Sequence, residues 1–590
     1  MVKQKWMVAA KKADFEALSK KFNIDPVLAR IIRNRGVISD EEFEFFLNGD
    51  MNSLHDPLLM KDMGKACDVI LKAISDKKKI RIIGDYDVDG ICATYILLKS
   101  LSTLGGVVDT VIPHRILDGY GLNDHLIKAA SEDGIELIVT CDNGISAFDQ
   151  IELANQLGID VVVTDHHEVP YEMEGDEKRY IIPHALAVVD PKQEDDEYPF
   201  KSICGGVVAY KLISILLGEK YPKVMEELLP FAAMATVCDV MELLGENRII
   251  VKAGLKLMNN PINPGMKALV MACGLGQKSI SAYHFGFVLG PTVNATGRLD
   301  TAKRALELFS SQDFNEACVI ATELREINES RKKITEDGTE LASRIVEEEG
   351  MDSQKILVIY LDNVHESIAG IIAGRIKEKY YKPTLVLTKA EEGIKGSGRS
   401  VEAYDMYEEL TKVKDLFTKY GGHKMAAGVS LKSIEDVNEL RRRLNENATL
   451  TQEDLVKKIA IDVPMPLSYA SMGLAKSFEL LEPCGTSNPR PMFATANVSL
   501  LSYAKKGRTR LIGKFRVMDE DSRSYEMVYF DDLDSFDEFI EKNFGASVLD
   551  QLMNRGCSKG EIVIKVAYSI SVNEFNNMES LQIVMKNYDI

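Results

Sequence analysis

"IRIIGDYDVDGICATYILL", residues 80–98, runs from an apolar stretch through three aspartates at alternate positions, Asp85, Asp87 and Asp89, into an apolar pattern of helical spacing. A short apolar run followed at once by a helix is the opening of a β-α-β unit whose strand is buried on both faces. The carboxylates then fall at the C-terminal end of the strand, the edge where open parallel sheets bind ligands. The same order repeats downstream, with "VDTVIPHR" before "NDHLIKAASEDG", "IELIVTCDNG" before "AFDQIELANQLG", and then "IDVVVTDHH". This alternation predicts an α/β domain with a doubly wound parallel sheet over residues 57–245.

Acidic residues recur at that edge. Asp142 follows "ELIVTC", Asp165, His166 and His167 follow "DVVVT", Asp190 follows "ALAVV", and Asp239 ends "AAMATVC". Any one of them reads equally well as a helix cap or a turn residue. Together they place several carboxylates and imidazoles on one edge, and like charges at close range resist ionising unless a cation neutralises them. Oxygen ligands with one or two imidazoles and no thiolate favour Mn²⁺ or Mg²⁺. About five close candidates suffice for two ions sharing a carboxylate, a pair that activates water and stabilises a leaving oxygen in phosphoryl chemistry.

The chain has 590 residues, and at roughly 100–200 residues per domain it divides into several. Residues 1–56 read as a short helical extension. Residues 246–352 read as helical and end in the charged segment "ACVIATELREINESRKKITEDGTELASRIVEEEG", a candidate helix connecting two lobes. A second α/β unit is expected over 353–452, with "KILVIYL", "SIAGIIAGRIKEKY" and "PTLVLT". From 453 to 590 the pattern becomes one of consecutive antiparallel strands, as in a small β-barrel.

Nine scattered cysteines form no C-x-x-C pair, which argues against a zinc knuckle or a disulfide framework. No apolar run reaches the roughly 18 residues of a membrane span, so a soluble cytoplasmic protein without membrane attachment is expected. A net charge of −19 argues against broad non-specific binding to nucleic acid, so any phosphate-binding surface must be local. "AKKGRTRLIGKFR", residues 504–516, is one such patch, though it reads equally as a solvated hairpin. The single tryptophan, Trp6, is distant from it in sequence, which leaves stacking there to Tyr or Phe. Phosphate-facing candidates lie beside glycines in distant segments: Arg115 in "IPHRILDGYGL", Arg298 in "NATGRLD", Ser397 and Arg399 in "GSGRS", and His423 in "YGGHK".

The motifs "GDYDVDG" (84–90), "DNG" (142–144), "TDHHE" (164–168), "ATVCDVMEL" (235–243), "NATGRLDTA" (294–302), "VHESIAGIIAGRI" (364–376), "GGHKMAAG" (421–428) and "EPCGTSNPRPMF" (482–493) follow in order along the chain. In them the sequence resembles the DHH phosphoesterase superfamily and, within it, the bacterial RecJ single-strand-specific exonucleases. The resemblance implies a catalytic DHH domain, a long connecting helix, a DHHA1 domain across a cleft, and an OB-like domain that grips single-stranded DNA. It implies Asp87, Asp89, Asp142, His166 and Asp239 as ligands of two Mn²⁺ or Mg²⁺ ions, with Asp85 and Asp165 close by. His167 would face phosphate or the transition state, and Arg115, Arg298, Ser397, Arg399 and His423 would contact phosphate and nucleotide. The implied activity is 5′-to-3′ degradation of single-stranded DNA to 5′-mononucleotides in repair and recombination, by a monomer, with a helicase and a single-strand-binding protein as partners. Three positions depart from the usual pattern: Cys484 stands for Phe, Ser487 for Gly, and Thr292 for a basic residue. Two other readings compete: a phosphodiesterase of short oligonucleotides or cyclic dinucleotides, and an inactive DNA-binding scaffold. The C-terminal barrel weighs against the first, and the complete acidic set against the second.

Overall fold

The computed structural model describes residues 4–114, 121–175, 177–299, 302–390, 393–507, 511–575 and 578–590. The chain forms two compact units, one of residues 49–451 with 485–487 and one of residues 1–48, 452–484 and 488–590.

The larger unit opens on a five-stranded sheet. Its strands are Lys79–Ile83, Val107–Val111, Leu137–Cys141, Asp160–Thr164 and Ala187–Val189, all parallel, in the order second, first, third, fourth, fifth. Side chains alternate between two apolar layers. Ile80, Ile82, Leu137, Val139 and Val162 face one core, while Ile83, Ile138, Val161 and Val163 face the other. Burial on both faces is why these strands read as continuous apolar runs. In this strand order the topological switch point lies between the first and third strands, so a ligand crevice is expected beyond Ile83 and Cys141.

The helical segment expected over 246–352 contains the connecting helix, Phe314–Glu348, whose 35 residues span about 52 Å at 1.5 Å per residue. Thr292, where the family pattern has a basic residue, is buried. It donates to the Val288 carbonyl at 2.7 Å and accepts from Asn328 on that helix at 3.1 Å. A long cation there would have to leave this polar contact.

Next comes a mixed sheet of Leu357–Leu361, Thr384–Lys389, Ile394–Arg399, Phe417–His423 and Ala426–Leu431, with only the first two strands parallel to each other. Helix Glu366–Tyr380 covers one face through Ile368, Ile372 and Ile376.

The smaller unit holds a closed barrel. Strands Phe493–Lys506, Ile512–Met518, Ser524–Tyr529, Met578–Asp589 and Val563–Phe575 pair in that order, and the last pairs back to the first. Helices Leu533–Phe544 and Ala546–Asn554 are inserted between the third and fourth strands in sequence, an addition to the purely stranded pattern expected. One pairing, Ser524–Tyr529 with Met578–Asp589, is parallel.

One expectation for this unit is corrected. The N-terminal segment is not wholly helical: Gln4–Val8 is a strand, pairing in parallel with Lys457–Ile461, and three helices follow it. It also brings Trp6 to the barrel, where its indole donates to Asn587 at 3.2 Å and Lys565 sits 5.6 Å from its ring. Both contacts are on strands Val563–Phe575 and Met578–Asp589 rather than within residues 504–516. Within "AKKGRTRLIGKFR", Lys505 pairs with Asp537 at 2.8 Å and Lys514 with Glu526 at 3.0 Å, so part of its positive charge is neutralised locally. Residues 508–510 lie outside the described residues.

Candidate metal centre

The acidic residues converge at the switch point. The strand ending at Ile83 leads into Gly84–Tyr86, and helix Val88–Thr103 starts immediately after. Asp87 is the N-cap of that helix, its Oδ1 accepting from the Asp89 and Gly90 amides at 2.9 and 3.1 Å. The cap reading is therefore correct for one of its oxygens, yet the carboxylate also groups with Asp85 and Asp142, with one donor atom from each within 4.8 Å of the others. Gly90 is required by proximity, since a Cβ there would lie 2.5 Å from the Asp85 backbone.

Asp89, in the first turn of the helix, is buried and points at the start of helix Gly205–Leu217. Its two oxygens accept from the Gly205 and Gly206 amides at 2.7 and 2.6 Å, as expected of an anion at a helix N-terminus. Both glycines are needed for close approach. A Cβ on Gly205 would lie 2.7 Å from Asp142 Cβ, and one on Gly206 would lie 2.7 Å from Ala235 Cβ and 3.0 Å from Asp89 Oδ1. Sequence reasoning passed over this pair, whose only signal was "GG" opening the apolar helix "GGVVAYKLISILL".

Asp142 follows its strand at φ 61°, in the left-handed region. His166 follows the neighbouring strand, and its Nε2 is the common point of the cluster: 3.0 Å from Asp142 Oδ1, 3.5 Å from Asp89 Oδ2 and 3.7 Å from Asp239 Oδ2. Asp239 arrives from the C-terminal end of helix Pro222–Cys238. Thus three carboxylates from three separate segments meet one imidazole.

Asp165 has a different position. Its Oδ1 accepts from the amides of His166 and His167 at 2.7 and 3.2 Å and meets His167 Nδ1 at 2.8 Å, while Oδ2 accepts from Ile145 N–H at 2.9 Å. With its oxygens engaged, it anchors the two histidines from behind. Asp190 is buried at the end of the last strand, with Oδ1 accepting from the Lys192 amide at 2.8 Å.

The electrostatics separate these groups. Burial, and then the charge of Asp89, Asp87 and Asp85, push Asp142 well above the carboxylate range. Asp89 is raised by burial. Burial and the charges of Asp89 and Asp87 push Asp239 up to about 8, and burial with the charge of Asp165 pushes Asp190 up to about 7. For Asp165 burial acts upward as well, but the hydrogen bond and charge of His167 outweigh it and leave the group below its ordinary value. Burial lowers His166. In His167 burial is overcome by the hydrogen bond to Asp165, raising it to about 9.

This donor set fits hard divalent cations. Several carboxylates crowd together and resist ionisation, the ligands are oxygens with imidazole nitrogen, and Asp239 Oδ2 and His166 Nδ1 are buried without a hydrogen-bond partner. Asp85, Asp87, Asp89, Asp142, His166, His167 and Asp239 make up three overlapping groups able to hold an ion.

The other candidates form a second grouping on the mixed sheet. Arg399 and His423 both pair in register with Ala426, on either side of it. They therefore lie in one row on one face, about 10 Å apart across two strand spacings. Ser397 is on the same face, and Arg399 Nη1 donates to its Oγ at 2.9 Å. Gly428 and Gly421 continue the Ser397 row on one side and bring no side chain there. Arg115 and the side chain of Arg298 lie outside the described residues.

Residues 79–236 match the family described as "DHH family, N-terminal domain", residues 353–449 the "DHHA1 domain", and residues 461–587 the "RecJ OB domain". The single-stranded-DNA-specific exonuclease RecJ of Bacillus subtilis is 34% identical over 99% of this chain and 70% of its own length. That of Salmonella typhimurium is 31% identical over 99% of both. Among solved structures, RecJ of Thermus thermophilus in complex with Mn²⁺ aligns with a TM-score of 0.80 at 24% identity, covering 100% of this chain and 80% of that one. An exonuclease RecJ bound to manganese aligns at 0.57 and 30% identity, covering 67% of this chain and 98% of that one. With near-complete coverage at this identity and all three domain types in order, the chain belongs to the RecJ family of single-stranded-DNA-specific exonucleases.

Proposed function

We propose that this chain hydrolyses single-stranded DNA from its 5′ end to 5′-mononucleotides, acting as a cytoplasmic monomer on strands exposed by a helicase and covered by a single-strand-binding protein. The observation that carries the reading is the convergence of Asp142, Asp89 and Asp239 on His166 Nε2 within 3.7 Å.

In this reading Asp87, Asp89, Asp142, His166 and Asp239 hold two Mn²⁺ or Mg²⁺ ions, with Asp85 beside them. The ions supply activation of water and neutralisation of charge on the phosphoryl oxygens. The chain's own residues do the rest. Asp165 fixes the ring of His167 through Nδ1, leaving its other nitrogen to meet a phosphoryl oxygen. The Gly205 and Gly206 amides orient Asp89. Arg399, Ser397 and His423 on the mixed sheet bind the phosphates and help hold the scissile bond in line, a role that Arg115 and Arg298 share.

The test incubates the pure protein and Asp142→Ala with 5′-labelled single-stranded DNA, duplex DNA and a dinucleotide, in Mn²⁺ or EDTA. Rapid release of mononucleotide from the single strand, dependent on the ion and lost in the variant, is expected. Activity confined to the dinucleotide would assign the chain to the short-oligonucleotide phosphodiesterases instead. Activity surviving in EDTA would overturn the metal assignment.

A further inference from the structure

Tyr283 and Phe287 are stacked on each other, with ring centroids 4.9 Å apart and planes 23° from parallel, yet they are 59% and 68% exposed. Phe285 between them is fully buried, so the segment is anchored while its aromatic pair stays in water. Residues Phe285–Leu289 are π-helical, closed by the Gly290 amide donating to the Phe285 carbonyl. Such turns are rare and recur at functional sites.

This segment packs directly on the turn that delivers Asp239. Cys238 Sγ lies 3.5 Å from the Phe285 carbonyl oxygen. A Cβ on Gly286 would sit 3.5 Å from Val237 Cγ1, and one on Gly290 would collide with Cys238 Sγ at 2.4 Å. Phe287 directly follows Gly286, which abuts Val237, so the stacked pair borders the seam with helix Pro222–Cys238, which leads into Asp239. Val240, the next residue, is 67% exposed and held at φ 59°, adding apolar surface at the cluster's edge. After burial, the charge of Lys278 helps hold His284, edge-on to Tyr283 at 5.9 Å, below its ordinary value.

We infer that Tyr283 and Phe287 form a stacking platform for the bases of the DNA strand as it approaches the acidic cluster. This rests on the exonuclease reading. Nucleobases present flat apolar faces whatever their identity, so an exposed stacked aromatic pair grips a strand without reading its sequence. A protein partner is the competing occupant, and its signature differs in the test.

The experiment uses the full chain, wild type, Tyr283→Ala/Phe287→Ala, and the conservative Tyr283→Phe/Phe287→Tyr. It measures anisotropy with a mixed-sequence oligodeoxynucleotide and with an abasic strand of equal length in EDTA, and hydrolysis of the oligomer and of a dinucleotide in Mn²⁺. The double alanine variant is expected to lose about tenfold or more in oligomer affinity and to raise its KM similarly. Abasic binding, dinucleotide turnover and the melting curve should be unchanged, and the conservative variant should match wild type. Unaltered oligomer binding and KM in the alanine variant, while wild type cuts DNA, would overturn the inference. Equal loss on the abasic strand would also overturn it. A wild type that neither binds nor cuts single strands would overturn the exonuclease reading together with the inference.

Discussion

His166 Nε2 lies 3.0 Å from Asp142 Oδ1, two side chains set side by side because their strands, Asp160–Thr164 and Leu137–Cys141, are parallel neighbours in register. Burial lowers the proton affinity of the imidazole and raises that of the carboxyl. The site is therefore arranged against holding its own charges, and a cation relieves that conflict.

The metal-free protein should lose stability as pH rises. Asp239 is raised to about 8, Asp190 to about 7 and His167 to about 9. Each group binds protons more tightly folded than unfolded, so its favourable contribution is complete below its unfolded value and is lost as pH rises through its folded one. All three act in the same direction, Asp190 from about pH 4 to 7, Asp239 from about 4 to 8 and His167 from about 6.5 to 9. Calorimetric melting in EDTA should show the transition falling across these windows, by an amount on the order of a few kcal/mol. Mn²⁺ should flatten the profile and add about 2.7 kcal/mol at a hundredfold excess over Kd. A melting point in EDTA that rises steadily from pH 5 to 9 would contradict the electrostatic picture.

Gly206→Ala should leave a folded protein with a damaged site. Its new Cβ would press on Ala235 at 2.7 Å and on Asp89 Oδ1 at 3.0 Å, costing about 1–3 kcal/mol as overpacking. A displacement of about 1 Å at a reacting group is worth on the order of a hundredfold in rate. Circular dichroism should be close to wild type while kcat falls by that order and Mn²⁺ binding by calorimetry weakens.

Asp165→Asn should act through His167. The variant loses the carboxylate that meets His167 Nδ1 at 2.8 Å, so the imidazole pKa, raised to about 9 by that contact, should drop to its ordinary value or lower. Histidine NMR titration reads this directly. Activity should fall about 10- to 100-fold, the usual cost of removing a group that orients a site's ligands. An unchanged titration would remove Asp165 from the anchoring role.

Much of this site was legible because its residues follow apolar strands, and a parallel sheet gathers strand ends on one edge whatever the intervening sequence. Asp85, Asp142 and His166 could be read that way. Gly205 and Gly206 could not, since their role is set by Asp89 and Asp142, brought to them only by tertiary packing. Asp87 shows that a bland and a functional reading can both hold, one oxygen capping the helix while the carboxylate stays in the cluster. The strand Gln4–Val8 was missed because its partner, Lys457–Ile461, lies 453 residues further along the chain, beyond the reach of local pattern.

The stability of the catalytic sheet should depend on a buried ion pair remote from the acidic edge. Lys211 Nζ meets Glu246 Oε1 at 2.9 Å and donates to the His55 carbonyl at 3.1 Å. Glu246 accepts in turn from the His55 amide and the Tyr198 hydroxyl, and both charged side chains are almost wholly buried. The network joins helix Gly205–Leu217, whose first amides hold Asp89, to helix Gly245–Leu257 and to the chain around His55. Glu246→Gln keeps one oxygen to accept from the His55 amide and turns its NH2 toward the Tyr198 hydroxyl oxygen, but it strands the Lys211 charge, already disfavoured by burial. Leaving one buried charge without its partner costs about 3–5 kcal/mol, whereas removing both is often close to neutral. Urea unfolding should therefore show Glu246→Gln strongly destabilised and Lys211→Met/Glu246→Gln partly restored, a coupling that independent sites would not give. Below their unfolding transitions both variants should keep kcat within a few-fold of wild type, because the carboxylates around His166 are untouched. A double variant as unstable as the sum of the singles would show that the pair is not coupled.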